Sequence, residues 1–277
     1  RGSLNIRLMD TPEEQEKRLF NEKKIAAEEF VRVNRIDKIG FPKINSKIGL
    51  IAAGKNWLDL IHAFSLLGID ARDAEELGIT SYKIVQTWPI DRQSLLEWSD
   101  KLDLLIVVEE KRKIIETQVK DTLFSVGSKT RVYGGDKNDE KLFSDHGVLD
   151  PLDIASAIGQ IFQEEGCSNT KLTTGLKKIK EARSADNAPN LAERLPYFCA
   201  GCPHNSSTVV PEGSRAYAGI GCHYMAQWMD RETLGFTHMG GEGANWIGES
   251  LFSKRKHVFQ NIGDGTYNHS GIQAIRA

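Results

Sequence analysis

Residues 48–68 read IGLIAAGKNWLDLIHAFSLLG, and this stretch decides the fold. The first part is short, apolar and closed by Gly54, as a buried parallel strand is. The second part sets Trp57, Leu60, Ile61, Phe64 and Leu67 at helical spacing and stops at Gly68, a C-cap signal. A strand that runs straight into a helix opens a right-handed βαβ unit.

The alternation continues outward. SYKIVQTWPI (81–90) reads as a strand, RQSLLEWSD (92–100) as a helix, LDLLIVVEE (102–110) as a strand and KIIETQVKDTLF (113–124) as a helix. This predicts an α/β domain with a parallel sheet over 47–165. Glu109 and Glu110 end a strand there and read as a salt-bridged helix entry, and the turn at Gly54 reads as structural. GSKTRVYGGDKNDEKLFSDHG (127–147) predicts a long loop, and LDIASAIGQIFQ (152–163) a short helix. Upstream, within 1–46, PEEQEKRLFNEKKIAAEEFVR (12–32) predicts a charged helix with Pro near its start. Residues 166–195 are polar and predict a linker, and a second unit spans 196–277.

Composition narrows the function. The 36 basic and 38 acidic residues give a net charge of −2, so no strong field favours nucleic acid. The basic runs at 177–180 and 254–257 read as solvated faces. No apolar run is long enough for a membrane span, and no signal-peptide pattern opens the chain, so a cytoplasmic protein is expected. The missing initiator Met and the abrupt end predict a piece of a longer protein.

Four cysteines are too few for a disulfide scaffold. Cys167 stands apart and reads as an ordinary thiol, while FCAGCPHN and GIGCHY place Cys199, Cys202 and Cys222 close together. Thiolates at such spacing hold zinc or an iron–sulfur cluster, or form a redox dithiol; otherwise two are buried structural cysteines and the third is incidental. Three are not four, so a further ligand comes from outside this stretch or from His204 or His223.

Two more features point to a ligand. VFQNI (258–262) reads as a strand, followed by the Gly263-Asp264-Gly265 turn into a helix. Glycines there let a phosphate approach the backbone, and Asp264 can bind Mg²⁺ or simply cap the helix. HMGGEGANWIGES (238–250) presses backbone at Gly240, Gly241, Glu242 and Gly243 against a ligand or another chain, or is a flexible loop.

Taken in order, CAGCPHNSST, GIGCHYM, MGGEGANWIGES and NIGDGTYNHSG resemble the thiamine diphosphate-binding region of 2-oxoacid:ferredoxin oxidoreductases. The fused indolepyruvate ferredoxin oxidoreductase type is the nearest branch. The segments GLIAAGKNWLDLIHAFSLLGID, YKIVQTWPID and LDLLIVVEEKRKIIETQ resemble the transketolase-C-terminal-like domain that precedes the cofactor domain in that family. The resemblance covers about 47–277 and implies that parallel α/β domain, followed by the first part of a thiamine diphosphate-binding α/β domain truncated at its C-terminus.

The resemblance also implies roles. Asp264 between Gly263 and Gly265 corresponds to the Mg²⁺ ligand beneath the diphosphate, and Gly240, Gly241, Glu242 and Gly243 to the lining of the cofactor pocket. Cys199, Cys202 and Cys222 correspond to three ligands of a 4Fe-4S cluster, with the fourth further along than residue 277. Cys-Pro-His at 202–204 departs from the Cys-Gly-Glu of pyruvate-type members, which leaves the role of His204 open; that of His269 is open as well.

The implied reaction is oxidative decarboxylation of an aryl 2-oxo acid to an acyl-coenzyme A, with electrons passing to ferredoxin, in a homo-oligomer at full length. The family's second Mg²⁺ ligand, an Asn, lies beyond the end of this sequence, and Asn268 does not fit its spacing. The chain alone is therefore expected to be inactive and to bind the cofactor weakly, if at all. Two other readings compete: a non-oxidative thiamine decarboxylase or carboligase, and a zinc-stabilised binding module.

Overall fold

The computed structural model describes residues 4–5, 7–186 and 194–277. The helix expected at 12–32 forms as α1 (Pro12–Arg18) and α2 (Lys24–Val33), joined by a wider π-type turn at Leu19–Lys23. Thr11 starts it: its side chain accepts from Glu14 N–H while the Glu14 carboxylate accepts from Thr11 N–H, so two orphan donors are satisfied reciprocally.

Next come β1 (Lys38–Ile39), β2 (Ile48–Ala53), α3 (Gly54–Leu67), α4 (Ala71–Glu76), β3 (Ile79–Ile84), α5 (Arg92–Ser99), β4 (Leu104–Val108) and α6 (Ile114–Ser125). Gly68 ends α3 in the left-handed region at φ 72°, as its residue type foretold. Glu109 accepts from the N–H groups of Ile115 and Glu116 and so caps the helix entry through backbone, whereas the ion pairs expected there fall on Glu110, with Lys111 at 3.6 Å and Lys55 at 3.7 Å.

The strand expected at 81–90 is shifted: it begins at Ile79 and stops at Ile84. The loop expected at 127–147 is corrected more deeply. It carries β5 (Arg131–Tyr133), parallel to β4 with Leu104 opposite Arg131, and a small antiparallel pair, β6 (Asp136–Lys137) with β7 (Glu140–Lys141). The main sheet therefore has five strands in the order β1-β3-β2-β4-β5, parallel except for β1.

Helix α7 (Pro151–Glu164) forms where a helix was expected. The linker expected at 166–195 is also corrected, because α8 (Thr170–Asp186) fills much of it and packs on α3 and α7. Glycine makes this possible: a Cβ on Gly175 would lie 2.4 Å from the Leu67 carbonyl oxygen. Cys167 accordingly belongs to this domain and packs half-buried against its core. Residues 187–193, the rest of that linker, lie outside the described residues.

Alternation along β2 builds three layers. Leu50 and Ala52 join Leu60, Phe64 and Leu67 of α3, Ile158 and Phe162 of α7 and Leu172 of α8. Ile51 joins Leu95 and Trp98 of α5 and Val119 and Leu123 of α6. Each fully buried Leu, Ile or Phe contributes about 1.5–3 kcal/mol relative to exposure. Strand β1, within the segment before residue 47, belongs to this body, since it pairs with β3 through Lys38 opposite Lys83.

The chain divides into two compact units, Arg1–Ala188 and Pro189–Ala277. The second contains α9 (His204–Ser207), β8 (Ala216–Ala218), a 3₁₀ segment (Cys222–Trp228), β9 (Thr233–Phe236), α10 (Ala244–Glu249), β10 (Phe259–Gln260), α11 (Asp264–Thr266), a π-type turn (Tyr267–Gly271) and α12 (Ile272–Arg276). Its sheet is parallel, in the order β10-β8-β9. Among the described residues, no helix is long and apolar enough to cross a membrane.

Candidate functional site

The Gly-Asp-Gly turn sits where β10 gives way to a helical run from Asp264 to Arg276. Asp264 opens that run and is exposed, and its carbonyl oxygen accepts from Asn268 Nδ2 at 2.8 Å. No heavy atom lies within 4 Å of where a Cβ on Gly265 would stand, so the space there is open. An exposed carboxylate beside open backbone fits a hydrated Mg²⁺ that carries a diphosphate.

His223 packs beneath this turn. It is 5% exposed, and its Nε2 has no hydrogen-bond partner. A Cβ on Gly219 would lie 2.3 Å from the Asn261 carbonyl oxygen and 2.5 Å from His223 Nε2. A Cβ on Gly263 would stand 3.5 Å from the Ile220 carbonyl oxygen and 3.9 Å from His223 Cε1. The loop that carries Cys222 and the turn that carries Asp264 are thus one packed body, and the glycines permit the approach. Burial first, and His204 second, push the His223 imidazole below its ordinary pKa, against a smaller upward pull from Glu242.

The glycine run closes on the same body. Glu242 is 2% exposed; its Oε2 accepts from Gly240 N–H at 2.6 Å, and its Oε1 is buried without a partner. A Cβ on Gly240 would meet Ser270 Oγ at 2.7 Å, and one on Gly243 would meet Gln260 Cγ at 3.5 Å. The run thus lies against residues on both sides of the turn. Arg215 holds the helix that follows it. Its Nη1 donates to Glu249 Oε1 at 2.5 Å, its guanidinium lies over the Tyr217 ring, and the Tyr217 hydroxyl donates to Glu249. These hydrogen bonds hold the Glu249 carboxyl below its usual range.

The cysteines are placed differently. Cys199 and Cys222 are exposed, Cys202 is half-buried, and all are free thiols. Cys202 Sγ lies 3.2 Å from His204 Nδ1, and the His204 ring stacks on Phe198 and tilts 5.7 Å from the His223 ring. Among the described residues, no three His, Cys, Asp or Glu side chains are grouped to hold a metal ion. The geometry joins the Asp264 turn, the Gly240–Gly243 run and the Cys222 loop, but it does not gather the three thiols into a ligand set.

Gln260, Asn261 and Ser270 escape the sequence reading. They contribute packing contacts across long chain separations, and no local pattern announces those.

A model described as the indolepyruvate oxidoreductase domain matches residues 38–186. The indolepyruvate oxidoreductase subunit IorA of Methanothermobacter marburgensis is 24% identical over 242 residues, 83% of this chain and 35% of the relative. The subunit of the same name from Thermococcus kodakarensis is 22% identical over 253 residues, 84% of this chain and 36% of the relative. The chain thus spans about a third of the length of the curated relatives it matches.

Among solved structures, a split gene transketolase in its inactive tetramer overlaps at a TM-score of 0.33 and 16% identity, over 46% of this chain and 41% of that one. The 2-oxoglutarate:ferredoxin oxidoreductase of Magnetococcus marinus overlaps at 0.34 and 16% identity, over 55% and 24%. Superpositions this loose carry no weight for fold or function.

Proposed function

Because the chain belongs to the indolepyruvate oxidoreductase family, whose domain model matches more than half of it, we propose that it supplies the thiamine diphosphate-binding part of an enzyme that oxidatively decarboxylates indolepyruvate or a similar aryl 2-oxo acid. The acyl group passes to coenzyme A and the electrons to ferredoxin. A cytoplasmic location and a homo-oligomer at full length go with the assignment. The observation that carries it is the convergence of three distant motifs on one turn, with Gly219 against Asn261 and Gly240 against Ser270.

Bound thiamine diphosphate supplies the electron sink that lets a 2-oxo acid lose carbon dioxide. The chain's own residues bind and orient. Asp264 would hold the Mg²⁺, and the open space at Gly265 would let the diphosphate approach the backbone, while Gly263 packs the turn onto the Cys222 loop. Glu242 spends one oxygen on fixing Gly240 and keeps the other, buried and unpaired, for a donor on the bound molecules. The buried His223 Nε2 is equally unspent. Buried polar atoms without partners are costly, so a site that retains them is shaped for a ligand.

Cys199, Cys202 and Cys222 are proposed as ligands of a 4Fe-4S cluster, on the strength of their spacing and the family. They do not stand as a metal site in this structure, so no electron-transfer step is assigned to them. The contact between Cys202 and His204 favours a second reading, zinc held by cysteine and histidine.

Two measurements test the proposal. In calorimetry with Mg²⁺, the full-length protein should bind thiamine diphosphate, and Asp264→Asn should weaken that binding roughly tenfold or more, while this chain alone should bind it weakly if at all. Binding unchanged by the substitution removes the turn from the site. In the full-length protein purified without oxygen, Cys199→Ala should lower iron and acid-labile sulfide by about one cluster. Stoichiometric zinc in place of iron, lost on the same substitution, would establish the zinc reading. Carbon dioxide release without reduction of an acceptor would instead mark a non-oxidative thiamine enzyme.

A further inference from the structure

A cavity of about 510 Å³ opens in the first unit, between α2, β1 and α5. It lies within the range of small-molecule sites, and none of the residues given a role in the proposed reaction lines it. Its floor is made by Tyr82 and Trp98, both at least nine-tenths buried, with ring centroids 5.0 Å apart and tilted by 33°.

Two carboxylates face the cavity with unspent oxygens. Asp91 is 2% exposed; its Oδ1 accepts from Ser94 N–H at 3.3 Å, and its Oδ2 is buried without a partner. Asp37 repeats the arrangement: Oδ1 accepts from Val85 N–H at 2.7 Å, and Oδ2 is buried and unpaired. Arg32, the nearest cation, reaches Asp91 only at 3.8 Å and on the oxygen already used. Each carboxylate therefore caps backbone with one atom and holds the other for something absent. Burial raises the Asp37 pKa above its ordinary value, with Asp91 adding to the rise.

The rim has the opposite character. Arg35 and Lys38 line it exposed and Arg32 half-exposed, with Glu97 opposing them. A simple cation suits the two acceptors but not this rim. Nor do these carboxylates form part of any metal-holding group among the described residues. The chemistry asks for one molecule with a donor group at its inner end, a flat ring to lie on Tyr82 and Trp98, and an anionic tail reaching the basic rim.

We propose that this cavity binds an adenine nucleotide, with the exocyclic amine toward Asp91 and Asp37 and the phosphates at Arg32, Arg35 and Lys38. An amine brings two N–H donors to two unpaired acceptors, and aromatic faces stack on nucleobases.

The test is calorimetric titration of the purified chain with adenosine diphosphate, inosine diphosphate and pyrophosphate. Adenosine diphosphate should bind saturably. Inosine diphosphate, which presents a carbonyl oxygen where adenine has its amine, should bind roughly tenfold or more weakly. Asp91→Asn keeps the helix cap but turns the free acceptor into a donor, and should weaken the adenine nucleotide by a similar factor. Arg35→Glu should weaken all phosphorylated ligands together.

Asp264→Ala, in the other unit, should leave nucleotide binding unchanged whether or not it abolishes thiamine diphosphate binding, so the two proposals fail separately. Competition by NAD⁺ and coenzyme A tells a free nucleotide from the adenosine end of a larger coenzyme. No saturable binding at millimolar adenosine diphosphate, equal binding of the inosine form, or pyrophosphate as tight as the nucleotide would each overturn the proposal. If Asp91→Asn does not fold, the adenine–inosine comparison on the unaltered chain still decides.

Discussion

The two units of this chain are held together in different ways. The first is a packed three-layer body, with Leu50, Phe64, Leu67 and Phe162 on one side of the sheet and Ile51, Trp98 and Val119 on the other, all but inaccessible to water. In the second, the buried apolar residues are Phe198, Ala216, Tyr217, Ala218 and Ala226 among those described, while Trp228, Phe236, Leu251 and Phe252 stand exposed. Its order comes from glycine-permitted backbone contacts and from the Arg215–Glu249–Tyr217 lock. A core tolerates variation in which apolar residue fills it; a stack of backbones that approach within van der Waals distance does not.

Substitutions can break this comparison. The largest effect belongs to the core: Phe162→Ala should cost about 3–5 kcal/mol in denaturant unfolding of the first unit. Phe252→Ala, at a side chain 91% exposed, should stay within about 0.5 kcal/mol. Equal costs would mean that the exposed apolar residues of the second unit are buried in solution.

Next comes Gly219→Ala, whose new methyl meets the Asn261 carbonyl oxygen at 2.3 Å. It should destabilise the second unit by about 1–3 kcal/mol, read by hydrogen exchange. Gly265→Ala enters open space and should change little.

A smaller effect separates two carboxylates by sign. Burial raises the Glu109 pKa, so its contribution is full below the ordinary 4.5 and is lost as pH rises through the folded value. Hydrogen bonds from Tyr217 and Arg215 lower the Glu249 pKa, so its contribution is present above 4.5 and is lost as pH falls through the folded value. Glu109→Gln should flatten the stability profile above pH 4.5, and Glu249→Gln should flatten it below, in melts taken at closely spaced pH. The smallest effect is Lys177→Ala, which removes an exposed pair with Glu181 at 4.0 Å and should shift stability by less than about 0.5 kcal/mol.

The same difference governs what could be read from residues alone. Strand β2 and helix α3 were legible because apolar periodicity is the signal of a core, and Gly68 marked the stop. Strand β5 was hidden, because Arg131-Val132-Tyr133 is a three-residue edge flanked by turn residues. Helix α8 carried its stripe in Leu172, Leu176 and Ile179, but Thr173, Thr174 and Gly175 diluted it, and the glycine proved to be the packing contact.

In the second unit, the identities of Asp264, Glu242 and the cysteines were legible as motifs. Their partners were not, since Asn261 and Ser270 meet Gly219 and Gly240 only through the fold. Cysteine spacing names candidate ligands, but the separation of the thiols is a tertiary property.

The short strand β1 has a consequence for solubility. Without it, β3 would be an outer strand with one edge of its six residues open, a template for another chain's strand. Lys38 and Ile39 pair with Lys83 and Tyr82, Gly40 N–H donates to the Ser81 carbonyl, and Thr80 Oγ1 donates to the Phe41 carbonyl. Four residues thus seal the border where this sheet would otherwise recruit a neighbour, and the strand that does so is too short and too charged to recruit one itself.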